Sequence, residues 1–259
     1  MSMLASFLSA GQALIVAHRG ASATAPENTL ASFREAWKQG ADAIEGDFHL
    51  SKDGQIVCIH DADTKRVSGV KKMVVDTDFS DLHALDVGAW KGEKWQDERM
   101  PLLSEVLATV PQGKGIFIEV KCGPEIVKSL LEELAKSKLE LAQVTVIAFD
   151  KEVVREVKKQ EPRLRANWLC SFKKKGAKRT YQPDLASVLS TLKDVGADGL
   201  GGSSAMDLPE GFGKKIQAAG FGYHVWTVDE PAMARHFLQN GAESLTTNKP
   251  GELRKALEE

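Results

Sequence analysis

Cysteine is scarce here: three residues in 259, at positions 58, 122 and 170, an odd count with no Cys-x-x-Cys pair. Nothing in that pattern asks for an oxidising compartment, and a buried free thiol is expected at Cys58. An excess of either charge is also missing. Lys and Arg number 34 against 36 Asp and Glu, so the formal net charge of −2 offers no global field for nucleic acid or an anionic membrane. Long apolar runs are lacking too, and none approaches the length of a membrane span. Met1–Val16 is fairly apolar but carries no Lys or Arg, and its apolar end reads better as a first strand than as part of a signal peptide. A cytoplasmic protein is the expectation. The remaining composition is that of an ordinary globular chain, long enough to bury a core without staples. Its length suits one large α/β barrel more naturally than two small domains.

One stretch, Ala17 to Asp61, organises the rest. An apolar run, Ala13–Ala17, ends in His18-Arg19-Gly20, and a second strand carries Glu45 and Asp47. Side chains alternate along a strand, so carboxylates at i and i+2 share one face. A Ser51-Lys-Asp-Gly54 turn leads into Ile56–Ile59, which ends in His60-Asp61. Two imidazoles, two carboxylates and a guanidinium within one βαβ unit point to a metal-assisted site for a phosphate ester.

Between these elements, Pro26-Glu-Asn-Thr29 introduces a helix to about Gln39, with Asn28 or Thr29 available as its cap. The Asp53-Gly54 turn marks a hairpin. From about Ala62 to Met100 the alternation stops. That segment is polar and turn-rich with Leu82, Leu85, Val87 and Trp90 as anchors, and reads as an insertion packed on the main body. Strand and helix patterns then alternate to the end. They include a strand over Ile116–Lys121, a helix over Glu125–Lys138, a long polar loop to Pro183, a helix weakened by Gly213, and a strand over Gly222–Val228. About eight strand–helix units at this length predict an α/β fold of the TIM (β/α)8 type, with a small inserted subdomain after the second strand.

In a parallel barrel the strand carboxyl ends form the active mouth. His18 and Arg19 end the first strand, Glu45 and Asp47 lie on the second, Glu119 and Lys121 near the end of the third, and Trp226 at the end of the seventh. Glu45, Asp47 and Glu119 offer oxygen ligands only, the preference of hard cations such as Mg²⁺ or Ca²⁺. Three bare carboxylates in a barrel interior raise one another's pKa, and a divalent cation resolves that conflict. Arg19 and Lys121 add positive charge for phosphoryl oxygens, while His18 and His60 divide general acid and base work. His49 shares the face of Glu45 and Asp47, as a fourth ligand or as an orienting group. His224 shares the face of Trp226, lining the site or packing the barrel. Gly201-Gly-Ser-Ser204 is either a phosphate cradle or only a tight turn. Lys173–Arg179 is the one dense basic run, either a solvated loop or an attractor for an anionic substrate.

These fragments, taken in order, resemble the glycerophosphodiester phosphodiesterase family. The matching features are His18-Arg19-Gly20, Pro26-Glu-Asn-Thr29, Glu45-x-Asp47, Asp53-Gly54, His60-Asp61, Pro101–Leu107, Glu119-x-Lys121, Val225-Trp-Thr-Val228 and Thr247-Asn-Lys-Pro250. The resemblance implies a TIM barrel with an inserted subdomain, metal binding at Glu45, Asp47 and Glu119, and catalysis by His18 and His60. It implies metal-dependent hydrolysis of a small-molecule glycerophosphodiester to an alcohol and glycerol 3-phosphate, begun by attack of the substrate's own glycerol hydroxyl. Two positions depart from the family pattern. Gly46 replaces an aliphatic residue, which predicts looser packing, and Asn248 replaces Asp before the last helix, where it is expected to serve as a cap. A lysophospholipase D-like enzyme is the alternative within the same chemistry, with Val70, Met73, Phe79 and Trp90 of the insertion lining a groove for an acyl chain. A catalytically silent phosphodiester-binding module is the alternative outside it.

Overall fold

Eight parallel strands close on themselves in the computed structural model, which describes residues 13–175, 180–206 and 208–258. They are β1 (Leu14–His18), β2 (Ala43–Leu50), β4 (Gly115–Val120), β5 (Val144–Ala148), β6 (Arg165–Cys170), β9 (Gly199–Ser203), β10 (Gly222–Trp226) and β11 (Ser244–Thr247). The β1–β2 and β1–β11 pairings both exist, so no open edge is left among these strands. A ninth strand, β3 (Ile56–Cys58), pairs antiparallel with β2 outside the ring. The fold is a TIM barrel, as the alternation predicts.

Each strand sends one set of side chains outward and the other inward. Outward residues such as Ile44, Phe48, Ile116, Ile118 and Val146 join the large core beneath the helices. Those helices are α1 (Leu30–Lys38), α4 (Leu103–Leu107), α5 (Val127–Lys136), α6 (Lys151–Gln160), α7 (Leu185–Val195), α8 (Phe212–Ala218), α9 (Pro231–Gln239) and α10 (Pro250–Glu258). Inward residues Val16, Ala43, Phe117, Ile147 and Leu169 form a smaller plug inside the barrel. Above that plug, toward the strand carboxyl ends, the inward positions become polar and charged.

Residues 62–100 pack on the barrel as short pieces, including α2 (Lys65–Ser68) and α3 (Phe79–His83). Val67, Val74, Leu82, Val87 and Met100 make a separate apolar cluster with Val57 and Ile59 beside β3, so the hairpin arm is the floor of the insertion. Phe79 packs against that cluster. Trp90 does not anchor it. The residue is 44% exposed, with Nε1 donating to Val87 O at 2.9 Å.

Other sequence expectations need correction. The polar loop before Pro183 contains a hairpin of β7 (Lys173–Lys175) and β8 (Thr180–Gln182). The rest of the basic run, residues 176–179, lies outside the described residues. Gly46 does not loosen its surroundings. A Cβ there would stand 3.1 Å from the Phe33 ring, 3.2 Å from Phe48 and 3.3 Å from Cys58 Sγ, so neighbouring side chains already fill the space of the missing branch. Gly213 lets α8 lie close on β10, where Tyr223 and the Asn240 carbonyl occupy the volume of any side chain.

Candidate active site

Strand register brings the charged residues together. His18 pairs in register with Glu45 across β1 and β2, and Asp47 with Glu119 across β2 and β4. Because register fixes height in a parallel barrel, these side chains fall into adjoining layers at the carboxyl mouth. One carboxylate oxygen from each of Glu45, Asp47 and Glu119 lies within 4.8 Å of the other two, and all three residues are buried.

Such a cluster is costly without a cation. Burial, followed by Asp47 and Glu119, pushes the Glu45 carboxyl well above the usual range. Burial and Asp47 push Glu119 up to about 7. Asp47 goes the other way: burial opposes ionisation, but Arg19 and Lys121 overcome it and hold the carboxyl low. Glu45 Oε1 and Asp47 Oδ1 are buried with no hydrogen-bond donor. Orphaned carboxylate oxygens converging from two residues, with a third carboxylate beside them, fit the oxygen-ligand preference of Mg²⁺ or Ca²⁺.

Cationic side chains surround the cluster. Lys121 Nζ lies 2.7 Å from Glu119 Oε1 and 3.5 Å from Asp47 Oδ1. Burial works against its charge, yet Glu119 and Asp47 hold the ammonium above its ordinary range. Arg19, in a left-handed backbone conformation with φ of 57°, donates its backbone N–H to Glu45 Oε2 at 2.9 Å. Its guanidinium sits 2.9 Å from Glu27 and 3.1 Å from Asp47. The following residue, Gly20, has φ of 81°, and a Cβ there would lie 2.7 Å from Ser32 Cβ. Only glycine fits that turn.

The two imidazoles are held differently. His60 Nδ1 lies 2.7 Å from Asp61 Oδ1. Hydrogen bonding from Arg66 is the largest influence on that carboxyl and helps hold its pKa down at about 2. Arg66 in turn donates to both oxygens of Glu27, so Asp61, Arg66, Glu27, Arg19 and Asp47 form a chain of alternating charge from the insertion to the carboxylate cluster. His18 Nδ1 instead meets a neutral group, Asn248 Oδ1, at 2.8 Å. Burial first and Arg19 second lower the His18 pKa.

Asn248 is therefore not the cap of α10. Its side chain turns into the site, while the Lys249 N–H is taken by Thr247 Oγ1 at 3.1 Å. Asn28 likewise leaves the capping of α1 to Thr29, which forms a capping box with Ser32, and donates to Asp47 Oδ2 at 2.8 Å. Sequence reasoning assigned both asparagines to helix ends. It assigned no role to Glu27, Arg66 or Asp229. A buried, left-handed Asn28 with φ of 57° was not visible in a pattern of helix signals.

Other candidates fall at varying distances from the chemistry. Trp226 packs against the barrel plug and also faces the mouth, with Nε1 donating to Gly201 O at 2.9 Å and Phe149 edge-on at 5.5 Å. His224 lies two residues deeper, buried against Ser244 Oγ at 2.8 Å, and is a packed barrel histidine. His49 turns its Nε2 to the His60 carbonyl at 3.2 Å, which makes it an orienting group and not a ligand. The glycines at 201 and 202 belong to β9, and the Ser204 N–H is taken by the Trp226 carbonyl at 2.7 Å, so this turn is no phosphate cradle.

Comparison with known proteins places this arrangement. A sequence model of the Glycerophosphoryl diester phosphodiesterase family matches residues 18–252. A glycerophosphodiester phosphodiesterase of Bacillus subtilis strain 168 is 30% identical over 259 aligned positions, covering 94% of this chain and 86% of that one. One from Caldanaerobacter subterraneus subsp. tengcongensis is 37% identical over 160 positions, covering 60% of this chain and 66% of its own length, just short of two thirds. Among solved structures, an Oleispira antarctica phosphodiesterase in complex with the product sn-glycerol-3-phosphate superposes with a TM-score of 0.84 at 25% identity. That superposition covers 95% of this chain and 97% of the other.

Proposed function

The chain belongs to the glycerophosphoryl diester phosphodiesterase family, and from that membership we propose that it hydrolyses glycerophosphodiesters to an alcohol and glycerol 3-phosphate. One observation carries the reading: three buried carboxylates within 4.8 Å of one another share the barrel mouth with two histidines whose Nδ1 atoms are tied to oxygen acceptors.

Glu45, Asp47 and Glu119 would hold a divalent cation, Mg²⁺ or Ca²⁺. The cation supplies polarisation of the phosphoryl oxygens when bound. Around it the chain's own groups do the rest. Lys121 and Arg19, already among the carboxylates, bring positive charge to the non-bridging oxygens. His60, its Nδ1 held by Asp61 Oδ1 at 2.7 Å, donates a proton to the leaving alcohol oxygen. His18 has a neutral partner in Asn248 and takes the proton from the attacking glycerol hydroxyl; water then opens the resulting cyclic phosphate to glycerol 3-phosphate, with the two histidines exchanging roles. Trp226 and Phe149 give the substrate an apolar wall.

The complete set of His18, His60, Glu45, Asp47 and Glu119 argues against a silent binding module. A lysophospholipase D-like activity is a second reading, favoured by the exposure of Val70, Met73 and Trp90 on the insertion. We also place the protein in the cytoplasm as one domain carrying the 62–100 insertion, consistent with free thiols at Cys58, Cys122 and Cys170. Among the described residues, no helix is long and apolar enough to cross a membrane. The test is a panel of glycerophosphodiesters and lysophospholipids assayed with Mg²⁺, Ca²⁺, Mn²⁺ or chelator. Release of glycerol 3-phosphate only with metal is expected, with chelation abolishing and metal restoring it. Full turnover in excess chelator, or none on any diester, sinks the reading.

A further inference from the structure

We propose that Asp229 and Asn248 are positioning residues that lock the His18 imidazole in its Nδ1–H form and leave Nε2 free as the proton acceptor. The inference rests on the assignment of His18 as the base in the reaction proposed above.

Asp229 follows β10, and its Oδ1 accepts from Thr247 Oγ1 at 2.9 Å and from the Asn248 backbone N–H at 2.8 Å. Its Oδ2 accepts from Asn248 Nδ2 at 2.7 Å. Both Asp229 oxygens act as acceptors in this arrangement, so the amino end of the Asn248 amide, the end that can donate, faces Oδ2. That fixes which way the amide points, a matter that is otherwise ambiguous for asparagine. The carbonyl end, Oδ1, is thereby turned to His18 Nδ1 at 2.8 Å, and it also accepts from Ser22 Oγ at 2.8 Å. An amide oxygen cannot donate. The ring proton of neutral His18 must then sit on Nδ1, and the lone pair on Nε2.

Without Asp229 the amide loses its orienter. Turned over, it would offer Nδ2 to Nδ1 and stabilise the opposite tautomer, whose Nε2 already carries a proton and cannot accept another. Two single changes each break the pairing: Asp229→Asn sets amide against amide, and Asn248→Asp sets carboxylate against carboxylate. Made together they exchange the partners and restore every donor and acceptor. The amide, now at position 229, can donate to the carboxylate at position 248, which still accepts from His18 and Ser22.

The experiment has two arms on the intact, Mg²⁺-supplemented protein. In the first, ¹⁵N correlation spectra of the histidine rings are taken at mildly alkaline pH, with the His18 signals assigned by their loss in His18→Gln. Nδ1–H is expected in the parent and a loss of that single tautomer in Asp229→Asn. In the second, glycerophosphocholine turnover is followed. Each single variant is expected to lose roughly 10–100-fold in kcat with KM within a few-fold, the usual worth of a group that orients a functional ligand, and the double variant to regain most of it. Should Asp229→Asn not fold, Asn248→Ala is read in the same two arms. An Nε2–H ring in the parent, an unchanged tautomer in the variant, or a double variant no better than either single overturns the proposal. Absence of turnover in the parent overturns the proposed activity instead, and the spectra still decide the tautomer.

Discussion

The side-chain amide of Asn28 donates to Oδ2 of Asp47 across 2.8 Å, and its carbonyl oxygen accepts the Asp47 backbone N–H at 3.2 Å. Both ends of one asparagine are thus engaged by one carboxylate residue in the buried cluster. The contact leaves Asp47 Oδ1 as the oxygen with no hydrogen-bond donor, with only the Lys121 ammonium beside it at 3.5 Å.

Removing that clamp should loosen the metal. Asn28→Gly keeps the left-handed backbone, which glycine tolerates, and deletes only the amide. Affinity for Mg²⁺ or Ca²⁺, measured by calorimetric titration, is expected to fall roughly 10–100-fold. Affinity within a factor of two of the parent would show that Asn28 only shapes the loop before α1.

The histidines should be separable from the metal. His18→Ala and His60→Ala are each expected to lower kcat by roughly 10²-fold or more, the usual worth of a positioned acid or base. Metal binding should be largely kept, since neither belongs to the carboxylate cluster. His236→Ala, on α9 and hydrogen-bonded near Asn240, serves as the control and should be nearly silent. Activity within a few-fold of the parent in both single variants would refute the acid and base assignments.

The exposed ring of Trp90 should bias substrate choice. Burial of apolar surface is worth ~25 cal/mol per Å². Covering that face with an acyl chain should therefore favour a lipid-tailed substrate by about 1–2 kcal/mol, roughly 5–30-fold. Trp90→Ala should lower kcat/KM for a lysophospholipid relative to glycerophosphocholine by that factor and spare the smaller diester. Equal losses on both substrates, or none on either, would limit Trp90 to holding the insertion's shape.

His224 gives the fold a pH dependence of defined sign. Burial, with Arg165 adding to it, pushes its pKa from 6.5 down to about 4. Between those values the unfolded chain binds the proton more readily than the folded one, so stability falls as pH drops through the window. The loss saturates below about 4 and amounts to about 3 kcal/mol at most. His224→Gln should flatten the dependence of Tm on pH between 6.5 and 4 relative to the parent. Parallel curves for the two proteins would show that His224 titrates alike in both states.

The sequence carried the barrel and the reacting groups well, because both follow short-range rules. Glu45 and Asp47 share a face by strand alternation alone, and His18 and Glu119 reach them through barrel order. The orienting residues obey no such rule. His18 and Asn248 are 230 residues apart, and only closure of β11 onto β1 makes them neighbours. Asn28 and Asn248 also occupy positions where helix-cap logic already offers a sufficient reason for asparagine. That explanation hid the second one. Gly46 misled for a related cause: a sequence shows a missing side chain, but not that the Phe33 ring, Phe48 and Cys58 occupy its place.

The insertion leaves and rejoins the barrel through a closed neck. Cys58 N–H donates to Pro101 O at 2.9 Å, and Val57 bridges antiparallel to Leu102, so the two ends of the segment are already side by side. A loop whose ends are held by the host loses little more entropy when lengthened, since closure cost grows only with the logarithm of its length. The neck therefore works as a splice point. A different segment could be grafted between Asp61 and Met100 with the eight-stranded ring left intact, provided it brings a cation to stand where Arg66 now joins Asp61 to Glu27. Exchanging that cassette is expected to leave the three carboxylates where the strands put them, which makes it the part to vary in a test of substrate range.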